Sequence, residues 1–192
     1  MQTERQAQIV EVAMEIIANK GIQGFTIKNL SKEIDVSEPA IYRHFESKTA
    51  ILITILNGFK EMSEMMAAML VNNRDTALNK IEFMFSKMFE VFTEQPSIIS
   101  VIFSEEIFKN ETVLKEKIIE IQNFQQLNIE NIIAKGQLDG DVRNDIDKSS
   151  LALIFMGSLR LLVKRWDLNN KSFSLTLEGE KLLQTFKILT VK

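Results

Sequence analysis

The sequence predicts an all-α protein, and three observations support that prediction. Glycine and proline are scarce, with 7 and 2 positions among 192 residues, which leaves little room for turn-rich β structure. Apolar residues recur at helical spacing along most of the chain. Hydrophobic residues make up 45% and charged residues 26%, as in an ordinary globular protein. We expect a small helical N-terminal domain over residues 1–50 and a larger helical domain over residues 51–192.

The composition also excludes several kinds of site. The chain has no Cys and a single His, so thiolate and imidazole-rich metal sites within one chain are excluded, as are disulfides. Charges at Glu4 and Arg5 interrupt the apolar run that a signal peptide needs. No uncharged apolar stretch approaches the ~18 residues of a membrane span. We therefore expect a cytoplasmic protein with no metal, no cofactor and no membrane partner.

The first predicted helix covers residues 3–19. Its apolar side chains form one stripe at helical spacing, which predicts a face packed on the rest of the domain. The stripe consists of Ile9, Val12, Ala13, Ile16 and Ile17. Gly21 follows, and we expect it to end the helix because glycine tolerates the left-handed backbone that is common at helix ends.

Two short helices are predicted next, separated by a tight turn. Thr26 has the side chain of a good N-cap, and the helix that it begins ends near Asp35. Ser37 is expected to cap a third helix that extends to about Phe45. Pro39 is compatible with this helix because an amide in the first turn has no intrahelical partner to lose.

Long helices are predicted over the remaining chain. Their approximate ranges are 47–71, with Ser47 as the cap, 75–94, a helix beginning at residue 96, and 111–135, 145–167 and 174–191. Residues 136–141 are rich in Gly and Asp, so we expect a break there.

The two short helices and their turn have the layout of a helix-turn-helix, whose second helix can enter the major groove of DNA. Residues 21–52 contain a Gly before a Thr-capped helix, a Val-Ser turn, a Tyr-x-His-Phe sequence and a Lys in the next helix. The residues concerned are Gly21, Thr26, Val36, Ser37, Tyr42, Arg43, His44, Phe45 and Lys48. This combination resembles regulators of the TetR (tetracycline-repressor-like) family, which show the same residues at matching spacing. The sequence departs from many members at Ile34-Asp35, where they have Ala-Gly, but Asp35 tolerates left-handed geometry.

The resemblance implies that the N-terminal domain binds a double-stranded DNA operator. Hydroxyl, imidazole and ammonium groups near helix starts are suited to phosphate oxygens, and the exposed side chains of the third helix are suited to base edges. The predicted phosphate contacts are Thr26, Lys28, Tyr42, His44 and Lys48, and the predicted base contacts are Glu38, Pro39, Ala40 and Arg43. Ser37 is also expected to contact DNA. Arg43 is equally suited to a phosphate, and Glu38 is also explained as a favourable anion in a first helical turn. Ile41 and Phe45 are expected in the core.

The charge of this domain is unusual for a DNA-binding module. Residues 1–50 contain six Lys and Arg and seven Asp and Glu, a net charge of -1, within a chain of net charge -3. DNA affinity must therefore come from where the few cations lie rather than from their number.

The larger domain is rich in Phe and Met, with 11 of the 13 Phe beyond residue 50. Most of these side chains must form a helical core. Because Met repacks around varied ligands, and because TetR-type proteins hold an effector in this domain, we expect some of them to line an apolar pocket for a small-molecule effector. The candidates are Met62, Met66, Phe85, Met88, Phe89 and Phe103.

The last two predicted helices are apolar over more surface than one chain can cover. Similar family members pair these helices in a four-helix homodimer interface. The expected interface residues are Leu151, Phe155, Ser158, Leu162, Trp166, Leu182 and Phe186.

The sequence thus predicts a transcriptional regulator, in particular a repressor that a mostly apolar effector releases from its operator. The alternative is a DNA-bound dimer that acts on a protein partner, as nucleoid-occlusion members of the family do. A helical enzyme is the third possibility, but no catalytic arrangement of residues supports it, so we expect no enzymatic activity.

Overall fold

The computed structural model describes residues 3–71, 73–104 and 111–191, and all regular structure in these ranges is helical, which confirms the all-α prediction. The described helices are α1 (Glu4–Gly24), α2 (Ile27–Ile34), α3 (Glu38–Tyr42), α4 (Lys48–Val71), α5 (Ala77–Glu94), α6 (Ser97–Ile102), α7 (Thr112–Asp139), α8 (Lys148–Leu168) and α9 (Leu175–Thr190). In the described ranges, no helix has the length and apolar character needed to cross a membrane.

Local capping chemistry explains where most of these helices begin. The Thr26 hydroxyl accepts a hydrogen bond from an amide in the first turn of α2, as the sequence predicts, and the Ser174 hydroxyl does the same for α9. The Ser47 hydroxyl accepts from the amide of Ala50 at 3.0 Å. Ser37 occupies the cap position of α3, but its side chain makes no capping hydrogen bond. Gly21 interrupts α1 with φ 68°, so the predicted stop at this glycine is confirmed.

The predicted break over residues 136–141 begins too early. Helix α7 continues through Gly136 and ends at Asp139. Gly136 is needed for packing, because a Cβ atom there would collide with Ala77 and lie 2.7 Å from a methyl group of Val142. The turn itself follows at Gly140, which has φ 87°.

The described residues within 1–62 and 96–120 form one compact unit, called here the first unit. It contains α1, α2, α3 and α6, together with the start of α4 and of α7, and α6 packs against α1. Its fully buried side chains are apolar and include Ile9, Ala13, Phe25, Leu30, Ile51, Leu56, Val101 and Leu114.

The second unit comprises residues 63–95 and 121–191, and in it α9 packs against α5 and α8. The Phe155 ring makes edge-to-face contacts with Phe85, at 6.2 Å between centroids, and with Phe186, at 4.2 Å. Gly179 lies against the Phe89 ring, where a Cβ atom has no space. The predicted boundary at residue 50 does not coincide with this division, since α4 and α7 each contribute residues to both units.

Candidate DNA-binding surface

The turn between α2 and α3 depends on one left-handed residue. Asp35 has φ 57° and ψ 52°, a region that aspartate tolerates better than most residues. Its amide donates to the Lys32 carbonyl at 3.2 Å, and the amide of Val36 donates to the Ser31 carbonyl at 2.9 Å. These bonds satisfy the carbonyls at the end of α2, so the turn remains tight without the glycine that many relatives use.

Helix α3 separates its buried and exposed side chains cleanly. Ile41 is 1% exposed and Phe45, just beyond the helix, is 7% exposed, so both anchor α3 in the core as predicted. Ala40 is half-buried. The remaining candidates on this segment are exposed, namely Ser37, Glu38, Pro39, Tyr42, Arg43 and His44. This outward set is available to a ligand as large as a DNA duplex.

The start of α2 offers a second group of polar side chains. Thr26 and Lys28 are exposed, and the Thr26 hydroxyl accepts from the Asn29 amide at 3.1 Å. The Asn29 side chain donates to the Gly24 carbonyl at 2.8 Å, which ties the helix to the preceding turn. Thr26 and Lys28 therefore occupy a well-positioned helix start, a place suited to a phosphate.

Lys48 is placed differently from the exposed candidates. It is half-buried, its ammonium donates to the Ile22 carbonyl at 3.3 Å, and the same nitrogen lies 5.2 Å from the centre of the Phe25 ring. Burial lowers the pKa of Lys48, while the charge of Glu111 acts in the opposite direction. In this structure Lys48 ties the first turn of α4 to the segment between α1 and α2.

Gln6 is a positioning residue that the sequence reasoning missed. Its side-chain oxygen accepts from the Thr3 amide at 3.0 Å, and its side-chain nitrogen donates to the His44 carbonyl at 3.3 Å. The Thr3 hydroxyl accepts from the Gln6 amide at 3.2 Å, which completes a capping box. The Thr-x-x-Gln spacing at the start of α1 is the signal that could have identified it.

The electrostatics explain how an acidic domain presents positive charge. Lys20 pairs with Glu33 at 2.7 Å, and their hydrogen bond lowers the pKa of that carboxyl. Among the described residues, no carboxylate lies within ion-pair distance of Lys28 or Arg43. Since neither side chain has an ion-pair partner among the described residues, their positive charges remain available to a DNA phosphate even though the domain has a net negative charge.

We expect Lys28→Ala to weaken binding to all DNA sequences alike and to lower the slope of log affinity against log salt by about one unit, because one phosphate contact is lost. Arg43→Ala should instead relax the preference at one base position, by about 1–3 kcal/mol, if Arg43 contacts a base edge. Fluorescence anisotropy with a selected operator and its single-base variants, measured over a salt series, separates the two effects.

Lys181→Ala is the control for this pair, since Lys181 is exposed and belongs to the second unit. An unchanged salt slope for Lys28→Ala, equal to that of Lys181→Ala, would remove Lys28 from the phosphate contacts.

The residues expected to bind an effector do not form one group in the structure. Met66, Phe85, Met88 and Phe89 are buried in the second unit, whereas Met62 and Phe103 are half-buried in the first. The second unit contains a cavity of about 240 Å³, formed by the end of α4, the start of α5 and the last part of α7. None of the six candidates lines this cavity, which is bounded instead by neighbouring positions such as Ala67, Leu70, Lys80, Met84 and Ile132.

The residues expected at a dimer interface also need revision. Leu151, Phe155, Trp166 and Phe186 are buried in the core of their own unit, so these side chains are not available to a second copy. Ser158, Leu162 and Leu182 are half-buried. The apolar surplus of α8 instead lies at the exposed residues Leu153, Ile154 and Leu161.

Comparisons with known proteins agree with this geometry. A family profile described as "Bacterial regulatory proteins, tetR family" matches residues 9–55, and a profile described as "YsiA-like protein, C-terminal region" matches residues 58–188. The first match covers the helix-turn-helix and the second covers most of the remaining chain.

Curated relatives and solved structures extend the comparison. The chain is 24% identical to a fatty acid metabolism regulator protein of Bacillus subtilis, over 92% of this chain and 91% of that one. It is 23% identical to the nucleoid occlusion factor SlmA of Mannheimia succiniciproducens, over 78% of this chain and 69% of that one. The crystal structure of the B. subtilis regulator FadR in complex with stearoyl-CoA has the same fold, with a TM-score of 0.80, 22% identity and coverage of 94% and 96%.

Proposed function

This chain belongs to the TetR family of bacterial regulatory proteins and is a DNA-binding transcriptional regulator, and we propose that it is a repressor that a small, mostly apolar effector releases from its operator. The observation that carries the proposal is the exposed surface of α2 and α3, where exposed cations and hydrogen-bonding groups flank a short helix held by two buried anchors. Such a helix is suited to the major groove of DNA.

In the proposed complex, α3 lies in the major groove. Arg43 and the first turn of α3 face base edges, while Tyr42, His44 and the start of α2 face phosphates. Gln6 helps to hold the segment that follows α3 through the His44 carbonyl, and Lys48 ties the start of α4 to Ile22 and Phe25. Because operator DNA is the target, we place the site of action in the cytoplasm.

We also propose that two copies assemble through α8 and α9. Exposed apolar residues on both helices, including Leu161 on α8 and Leu177 on α9, have no cover within the described chain. A twofold dimer would present two α3 helices to half-sites about one helical turn apart, so the operator should be near-palindromic.

The proposed effector class follows from the relatives. One relative is named for fatty acid metabolism, and a solved structure of similar fold carries stearoyl-CoA. We infer that the effector of this chain contains an apolar acyl chain and binds in the second unit. Since α4 and α7 contribute residues to both units, a ligand that shifts either helix also acts on the unit that holds α3. The ligand must bind the arrangement that is incompetent for DNA more tightly, or no release follows.

The test is a titration of saturated acyl-CoA esters into a preformed operator complex, with the operator selected from random DNA. A coupling of about 1–3 kcal/mol would lower operator affinity about 5–150-fold. Coenzyme A without an acyl chain is the control. If acyl-CoA esters bind the protein and operator affinity stays unchanged, the effector-release mechanism is wrong.

The second candidate function is a DNA-bound dimer that acts through a protein partner, and the similarity to SlmA favours it. That similarity covers a smaller share of both chains than the match to the fatty acid metabolism regulator, so the effector-released repressor is better supported. Co-purification of a specific protein partner only in the presence of operator DNA would reverse this preference.

A further inference from the structure

We propose that the cavity of the second unit binds a short amphiphilic monoanion, with an apolar chain against its wall and a carboxylate on the ammonium of Lys80. This inference rests on the proposed function, because it names the ligand chemistry and the specificity-determining residue of a ligand-responsive domain. The observation behind it is the position of the Lys80 side chain, which is largely covered by protein and lines the cavity.

Lys80 lies in the first turn of α5 and is only 8% exposed. Most of this side chain is covered by protein, and a lysine can bury its carbon stem in this way while its ammonium keeps contact with water. In the parts of the chain that the structure describes, no carboxylate lies within ion-pair distance of Lys80, and no side-chain hydrogen bond is formed by its ammonium. A ligand anion in the cavity would give this ammonium the ion-pair partner that the described residues do not provide.

The cavity has the composition that such a ligand needs. Lys80 shares it with apolar side chains from three helices, among them Leu70, Met84 and Ile132. Two amide side chains, Asn128 and Asn131, also line it and can hydrogen-bond to a carboxylate. An apolar wall with a few convergent polar groups is typical of a small-molecule site.

The other charges around the cavity do not compete for this role. Lys135 is exposed and pairs with Asp139 at 2.9 Å, and Asp75 is exposed as well. Asp141 does not line the cavity, and one of its oxygens accepts from the Ala77 amide at 2.8 Å. Its other oxygen, Oδ1, is buried and has no hydrogen-bond partner among the described residues. Of the two lysines that line the cavity, Lys80 is the buried one and Lys135 is exposed.

The cavity volume limits the size of the ligand. About 240 Å³ exceeds the ~150 Å³ of an engineered cavity that holds benzene and is below the ~300 Å³ at which pockets for drug-sized ligands begin. A chain of medium length with one anionic group is suited to this space. Because the cavity is partly open to solvent, its volume limits only the part of a ligand that it encloses.

The experiment compares octanoate with octan-1-ol, which have the same chain length but differ in charge, by isothermal titration calorimetry on the full-length protein. We expect wild type to bind octanoate at least about tenfold more tightly, because hydrogen bonds to charged groups are the stronger kind. Lys80→Met should abolish that preference, and Lys80→Arg should retain it. Lys87→Met is the matched control, because Lys87 is exposed on the same helix, pairs with Glu90 at 2.6 Å and does not line the cavity. It should change octanoate affinity by less than about twofold, since exposed ion pairs contribute little.

A second pair of variants tests whether the ligand occupies the cavity. Ala67 lines it and the adjacent Ala68 is exposed, so Ala67→Phe should fill the space and abolish octanoate binding, whereas Ala68→Phe should leave it unchanged. Equal binding of octanoate and octan-1-ol by wild type, or an unchanged preference in Lys80→Met, would overturn the assignment of Lys80. Lys80→Gln replaces Lys80→Met if the latter fails to fold.

Parallel operator-binding measurements separate this inference from the proposed function. If octanoate binds in a Lys80-dependent way and operator affinity stays constant, the cavity assignment is correct and effector release by this ligand is wrong. If acyl-CoA esters release the operator with equal potency from wild type and Lys80→Met, while octanoate does not bind, the proposed function is supported and the cavity assignment is wrong.

Discussion

Leu161→Glu is expected to give a folded monomer whose operator affinity is lower by a factor of about 10²–10⁴, because binding through two linked modules exceeds binding through one by about that much. Leu161 is 62% exposed on α8, so the substitution leaves the core of the subunit intact. In the proposed dimer it would bring two glutamates together at a desolvated surface, and unpaired charges in such a place are strongly destabilising.

Analytical ultracentrifugation at micromolar concentration shows whether the variant is a monomer. Fluorescence anisotropy with a two-half-site operator measures its operator affinity. Leu138→Glu is the control, since Leu138 is 88% exposed near the end of α7 and lies outside the proposed interface. A Leu161→Glu protein that remains dimeric would show that the interface lies elsewhere.

Phe155→Ala is expected to lower the free energy of unfolding by about 3–5 kcal/mol, the usual cost of deleting a buried aromatic ring. The Phe155 side chain is 1% exposed, and its ring contacts those of Phe85 and Phe186. Removal of the ring therefore leaves an unfilled space between α5, α8 and α9 and ends two edge-to-face contacts.

Urea denaturation followed by circular dichroism gives this free energy, with protein concentration held constant because dimerisation contributes to apparent stability. The matched control is Phe83→Ala on α5, where the side chain is 37% exposed and the expected cost is below about 2 kcal/mol, since less apolar area is buried. If Phe155→Ala changed the dimer dissociation constant and left subunit stability intact, Phe155 would belong to the interface that the sequence analysis assigned to it.

Local chemistry explains the features that the sequence determined by itself. Thr26 caps α2 and Asp35 ends it through interactions with residues no more than a few positions away. Ile41 and Phe45 are four residues apart, so the helical period alone places them on one face. The same local rules predict that the side chains between them point outward, and these are Tyr42, Arg43 and His44 of the candidate DNA-binding surface.

Only the tertiary structure showed which face of α8 packs against other helices. The sequence showed that α8 is apolar on most sides, but only packing against α5 and α9 buries Phe155 and leaves Leu161 exposed. In the same way, Lys48 is placed by the carbonyl of Ile22 and the ring of Phe25, both more than twenty positions away in the chain. Lys80 lines a cavity whose other walls come from α4 and α7, so its surroundings depend on helices distant in the chain. Helical periodicity specifies the direction in which each side chain points from its own helix axis. Burial of that side chain depends on neighbouring helices that are distant in sequence, so the sequence of a single helix does not determine which of its side chains are buried.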